Sequence, residues 1–293
     1  MEAVAPSRLA ESWDNVGLLL GDRSAPCRRV LVTVDWTPQV LAEALAMRAD
    51  AVVSYHPPIF DALKRLDAAD PAQGALLGAA RAGIALLSPH TAYDAVQGGM
   101  TDWLAEGLAG GARELARAAA HEPLRPACVR PSDGRSTSDV APAARPTPAE
   151  GAGRLLELRR DEPLAAIAAR LRRFLGAPRI DAVVAGARHR RIAICPGAGA
   201  SVLPDAVARG ATLLVTGEAR HHEQLAARAV GVSMLLAGHT WTERGCMPRL
   251  ARALSAVLEG PSFAVASSDL PPLTDPIARP SKARAARRPA RPR

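Results

Sequence analysis

The sequence predicts an α/β fold made of two related halves, each with a mainly parallel sheet. Three observations predict it. Short β-branched apolar runs of strand length alternate with segments whose apolar residues recur at helical spacing. The order of these segments repeats near the end of the chain. The two stretches also align: 28–56 lies on 190–218 without a gap, and 83–94 lies on 231–243 with one small shift, so that His90 meets His239 and Asp94 meets Glu243.

The elements follow in order. "VLVTVD" from Val30 reads as a buried strand, and Pro38 opens the helix "PQVLAEALAMR", where its missing N–H costs nothing. "AVVSYHPP" is a second strand, ended by the proline pair. "PAQGALLGAARAG" is a helix closed by Gly83, a left-handed cap. "IALLSPHTAYD" gives the third strand and "MTDWLAEGLAG" the third helix. The second half repeats this with "RIAIC", "SVLPDAVARG", "TLLVTGE", "HEQLAARAVG" and "SMLLAGH", then a helix from about Glu243 to Leu258. Such alternation implies parallel strands joined by right-handed crossovers.

The expected organisation is a first half over 1–112, a variable insertion over 113–185, a second half over 186–262 and a basic disordered tail over 263–293. The insertion holds a Pro/Ser/Arg-rich stretch at 130–151 that reads as a mobile linker, followed by an amphipathic helix, "PLAAIAARLRRFLG". The tail carries Arg279, Lys282, Arg284, Arg287, Arg288, Arg291 and Arg293 with no acid among them. A solvated tail and a weak nucleic-acid or nuclear-address segment both fit it.

Hydrophobic residues make up 48% of the 293 and aromatics only 3%, so the core must be Leu, Val, Ala and Ile. The apolar runs are strand-sized, far short of the ~20 residues that cross a bilayer. Glu2 and Glu11 interrupt the start, which lacks a secretory pattern. No membrane contact is expected; the expected location is the cytoplasm, with the nucleus as a second location suggested by the basic tail. Four widely spaced cysteines without a CxxC pair exclude a zinc-ribbon type of site and read as reduced thiols.

Ligands of open parallel sheets bind outside the carboxyl ends of the strands. His56, His90 and Asp94 fall there in the first half, and Glu218, His239 and Glu243 in the second. Imidazole with carboxylate is a ligand set for Zn, Mn or Fe, and two such ions can polarise an electrophile and ionise a water. For any one of these residues an ordinary hydrogen-bonded histidine or a helix-capping acid is the commoner reading. Their recurrence at equivalent strand ends favours a shared metal-binding cleft. "PGAGAS" (196–201) reads as a tight strand–helix turn, His221 and His222 as rim residues, and Asp35 as a strand-end acid whose competing role is helix capping through Thr37.

"AESWDNVGLLLGD", "SYHPPIF", "SPHTAYDA", "TGEARHH" and "GHTWTERG" together resemble the NIF-three-like family, which includes YbgI-type proteins and GTP cyclohydrolase 1 type 2 homologues. The match spans about 7–112 and 186–260, and "YHPPIF" is similar to the eukaryotic branch. The resemblance implies a dinuclear metal centre between two α/β halves and a toroidal homohexamer. It implies His56, Asp94, His239 and Glu243 as metal ligands, Glu243 bridging, with His90 beside the metals. The sequence departs from the pattern at Tyr55, where many members carry a second histidine. A phenol of ordinary pKa about 10 is a poor substitute ligand, so one or two ions per chain are expected. The chain also starts almost at the first motif, and its middle insertion is short.

Two functions follow as expectations. One is a metal-dependent hydrolase of a nucleotide-like or phosphorylated small molecule, GTP cyclohydrolase-like, in which His90 or Tyr55 moves protons and Arg244 steadies an anion. The other is a non-catalytic metal-binding scaffold that engages protein partners in a transcription-linked role.

Overall fold

In the computed structural model, which describes residues 1–127, 147 and 149–272, two sheets stand side by side. The first comprises β1 (Gly17–Leu20), β2 (Arg29–Thr33), β3 (Ala51–Ser54), β4 (Ala85–Ser88) and β11 (Ser262–Val265), in the order β1-β4-β3-β2-β11. The second comprises β5 (Ala120–Pro126), β6 (Gly151–Pro163), β7 (Asp181–Val183), β8 (Arg188–Ile194), β9 (Leu213–Thr216) and β10 (Ser233–Leu236), in the order β5-β6-β8-β9-β10-β7. The aligned strands occupy equivalent places: β2-β3-β4 and β8-β9-β10 are parallel triplets. In each half the preceding strand returns antiparallel to the far edge, β1 on β4 and β7 on β10.

Local chemistry sets the helices. Thr37 caps α1 (Pro38–Ala46) by accepting the Val40 N–H at 3.2 Å, and Asp70 caps α2 (Pro71–Ala82), which Gly83 closes at φ 69°. After β4 come α3 (His90–Ala95), α4 (Met100–Ala109) and α5 (Ala112–Leu115). The second half adds α6 (Leu164–Leu175), α7 (Leu203–Ala208), α8 (His221–Ala229) and α9 (Met247–Val257). The helix expected from Glu243 begins only at Met247, because two short 3-10 turns come first.

The halves exchange their last helices. Leu104, Ala105 and Leu108 of α4 pack with Ile192, Ile194 and Val215 of the second sheet. Met247, Leu250 and Leu254 of α9 pack with Val30, Val32 and Val53 of the first. Each fully buried aliphatic side chain contributes about 1.5–3 kcal/mol, so the exchange binds the halves into one body.

Two expected boundaries do not hold as breaks in structure. The described residues of 113–185 are not set apart: β5, β6 and β7 are strands of the second sheet, and α6 packs on it. The tail does not start at 263, since β11 runs parallel to β2 and extends the first sheet. Most of the Pro/Ser/Arg-rich stretch, and the basic residues from Arg279 on, lie outside the described residues. Among the described residues no helix is long and apolar enough to cross a membrane. Among the described residues, Cys27, Cys195 and Cys246 form no disulfide.

Candidate metal centre

The carboxyl ends of the two parallel triplets face one cavity of about 900 Å³. His56 follows β3, His90 opens α3 after β4, and His239 and Glu243 follow β10. All four line the cavity, as do Tyr55 and Asp94.

Three of these residues converge. Glu243 is 2% exposed, with Oε1 3.2 Å from His239 Nε2 and Oε2 3.4 Å from His56 Nε2. One ligand atom from each of the three lies within 4.8 Å of the others. Neither histidine contact has hydrogen-bond geometry, and Glu243 Oε2 is buried without a hydrogen-bond partner among the described residues. The outer nitrogens are occupied: His56 Nδ1 is 2.8 Å from Asp35, and His239 Nδ1 is 3.0 Å from Glu218. An ionised carboxylate can only accept, so each Nδ1 carries the proton and each Nε2 turns its lone pair inward. Imidazoles that back onto carboxylates and converge with a third carboxylate are the donor set of a divalent ion.

Without an ion the same geometry traps protons. Burial disfavours a charged His56, but the neighbouring Asp35 and Glu243 carboxylates outweigh that and push its pKa up to about 10. The Glu243 carboxylate beside it pushes His239 up to about 9, against burial. Burial works to raise Glu243, yet the two imidazoles hold it below the usual carboxylate range. The backbone leaves room for this cluster at Gly197, whose φ is +59°. A Cβ there would lie 2.5 Å from Glu243 Oε1 and 3.0 Å from His239 Nε2.

Asp94 stands apart from the triad. Its Oδ1 accepts the Tyr55 hydroxyl at 2.6 Å, and burial pushes its carboxyl up to about 6. Tyr55 is 1% exposed, and burial and the neighbouring Asp94 raise its phenol well above 10, so it is a neutral donor to Asp94. Tyr55 therefore occupies the wall beside the triad with a group that holds Asp94.

His90 faces the triad with its ring 5.5 Å from that of His56. Its Nδ1 is 2.7 Å from Asp14 Oδ1, and the other Asp14 oxygen accepts the Thr91 N–H at 3.1 Å and the Thr91 hydroxyl. Asp14 lies in the "WDN" block, but nothing local in the sequence marks it as the partner of a histidine 76 residues away. Arg244 corrects the sequence reading. Its guanidinium is 2.6 Å from Asp269 Oδ2 and 3.3 Å from Asp35 Oδ2, and it is not among the residues lining the cavity. Its charge serves those two acids rather than an anion in the cleft. His221 and His222 are exposed at the start of α8 and also do not line the cavity.

Comparison with known proteins adds the family. A model described as Duf34/NIF3 (NGG1p interacting factor 3) matches residues 1–272. Protein NIF3 homolog of Schizosaccharomyces pombe is 35% identical over 94% of this chain and 95% of its own length. A GTP cyclohydrolase 1 type 2 homolog of Clostridium perfringens is 27% identical over 82% of each. In structure, a Bacillus cereus protein related to NIF3 superposes with a TM-score of 0.77 at 20% identity, over 94% of this chain and 96% of that one.

Proposed function

Since the chain belongs to the Duf34/NIF3 family, we propose that its cleft holds a divalent metal ion and serves a metal-dependent hydrolase of a nucleotide-like or phosphorylated small molecule. The observation that carries this reading is the inward turn of His56 Nε2 and His239 Nε2 onto Glu243, with both Nδ1 atoms held by carboxylates. These three residues would hold the first ion. Asp94 is the remaining family ligand, and its bond to Tyr55 favours one ion per chain over two. Zinc, manganese and iron all suit the donors.

A bound ion would polarise an electrophilic centre and acidify a water. The chain's own residues supply the proton traffic. Asp14 fixes the Nδ1–H tautomer of His90 and leaves Nε2 free to take a proton at the cavity wall. Tyr55 keeps its proton and holds Asp94 in place. The name of the clostridial relative suggests GTP ring opening as the first reaction to assay.

The experiment is elemental analysis of chain purified without chelator or metal-affinity tag, followed by turnover of His56→Ala and Glu243→Ala on nucleotide and phosphoester substrates. The reading expects about one ion per chain and loss of turnover in both variants. Metal-free chain that takes up no zinc, manganese or iron overturns it.

The family description as an interacting factor supports a second reading, a scaffold for protein partners. Trp13, Phe60, Leu63 and Leu66 are 45–59% exposed, and Trp13 and Phe60 touch at the cavity mouth with ring centroids 6.0 Å apart. A second copy of the chain in a homohexamer, or a partner in the cytoplasm or nucleus, would cover them. Partner binding that survives both ligand substitutions would favour this reading.

A further inference from the structure

The segment after α9 reaches the candidate metal centre from behind. Ser262–Val265 pairs with β2, and the Ser267 and Ser268 N–H groups and hydroxyls then bond to Glu43 on α1. Asp269 comes next and is 8% exposed. Its Oδ2 accepts the Val34 N–H at 2.7 Å just beyond the end of β2, and is 2.6 Å from Arg244 Nη1. Arg244 Nη2 is 3.3 Å from Asp35 Oδ2, and Asp35 Oδ1 is 2.8 Å from His56 Nδ1. A backbone route runs beside this one: the Val34 carbonyl accepts the His56 N–H at 2.9 Å.

We propose that Asp269 is a positioning residue for His56, acting through Arg244 and Asp35. The argument is one of competition. Arg244 is shared between two carboxylates, and its nearer partner is Asp269, whose backbone carbonyl also accepts from Nη1 at 2.6 Å. That leaves Asp35 with a single long contact to the guanidinium and a free oxygen for the imidazole. Arginine prefers to grip one carboxylate with two parallel bonds. Without the charge of Asp269 it would close on Asp35 and draw both oxygens away from His56. The imidazole would lose the Nδ1 partner that fixes its ring plane. The consequence for metal affinity rests on the metal reading above; the orientation of His56 does not.

The test uses the full chain and two isosteric substitutions in or against the same segment. Asp269→Asn keeps an oxygen for the Val34 N–H and removes only the charge. Glu43→Gln weakens the anchor of Ser267 and Ser268 but leaves the path to His56 intact. In metal-free protein at fixed pH, ¹⁵N NMR of the His56 ring should show the Nδ1–H signal shifted or lost in Asp269→Asn and unchanged in Glu43→Gln. Arg244→Lys, which cannot grip Asp35 with two parallel bonds, should by itself leave the Nδ1–H signal in place and should restore it when combined with Asp269→Asn, and melting curves of all variants check the fold. Zinc affinity by chelator competition should fall about 10–100-fold in Asp269→Asn, the range for loss of a group that orients a ligand, and stay within about twofold in Glu43→Gln. A His56 signal unmoved in Asp269→Asn, or shifted as far in the double variant as in Asp269→Asn alone, overturns the proposal. Because that signal needs no metal, a wild-type chain that takes up no zinc removes the preceding reading while the NMR still decides this one.

Discussion

Single atoms decide whether the cleft can hold an ion, and Gly197 shows the margin. Its φ of +59° is a conformation an L side chain adopts at a cost of about 1–2 kcal/mol. A methyl group there would also fall 2.5 Å from Glu243 Oε1. Gly197→Ala should therefore lower stability by at least about 1 kcal/mol and cut zinc affinity more than tenfold; urea titration and chelator competition read the two effects separately. On the proposed metal reading, Tyr55 limits the number of ions. Tyr55→His adds a ring nitrogen beside Asp94 and removes the hydroxyl that holds it, so the metal content should rise from about one ion per chain toward two. Unchanged stoichiometry would mean that Tyr55 is not what limits the site. Protons compete at the same atoms. His56 and His239 are raised to about 10 and about 9 in the metal-free chain. A histidine whose folded pKa is raised stabilises the fold below its unfolded value near 6.5, and that contribution is lost as pH climbs through 9 and 10. Melting temperature of the metal-free chain should fall over that window. The shift produced by zinc should grow over it, since binding must displace those protons.

At the scale of elements, the parts legible in the sequence are those fixed by local pattern. The triplets β2-β3-β4 and β8-β9-β10 contain short, mostly buried apolar runs, and the repeat of His-Thr-x-x-acid marks the strand ends. The strands that the sequence hid owe their pairing to distant segments. β5 and β6 carry prolines, arginines and glutamates, and β11 follows a polar turn next to a basic stretch. Arg154 on β6 reads as a surface charge, yet it is 1% exposed. It pairs with Asp102 of α4 and donates to the carbonyls of Ala95 and Val96, directly after Asp94. The site divides in the same way: its inner acids and histidines repeat locally, while Asp14 and Asp269 arrive from 76 and 235 residues away. The buried pair makes its own prediction. Burial opposes the charge on Asp102, but His121 and Arg154 hold its carboxyl down to about 2. An acid with a depressed folded pKa stabilises above its unfolded value and loses that stability as pH falls through the folded one. Between pH about 4 and about 2 the wild type should lose about 2 kcal/mol that Asp102→Asn does not. At neutral pH that variant should be about 3–5 kcal/mol less stable, because Arg154 is left buried without its counter-charge.

Across the whole molecule, the exchanged helices and the cleft make the same demand. His56 comes from the first half, and His239 and Glu243 from the second, so any drift between the halves separates the three candidate ligands. The crossing of α4 and α9 opposes that drift, because neither sheet can open without stripping the other half's leucines from its face. The two halves, though related and each with its own sheet, should then unfold together. Urea unfolding followed by tryptophan fluorescence and by far-UV circular dichroism should give one coincident transition. Zinc at a thousand times its dissociation constant should move that whole transition by about 4 kcal/mol. Leu250→Ala empties a place on α9 that touches only the first sheet's core, and should cost about 2–5 kcal/mol. If the halves are one unit, its cost appears in the single transition and reduces zinc affinity little. If they are separable, Leu250→Ala splits the curve in two and the ion stabilises both phases unequally, and the helix exchange would then be packing without coupling.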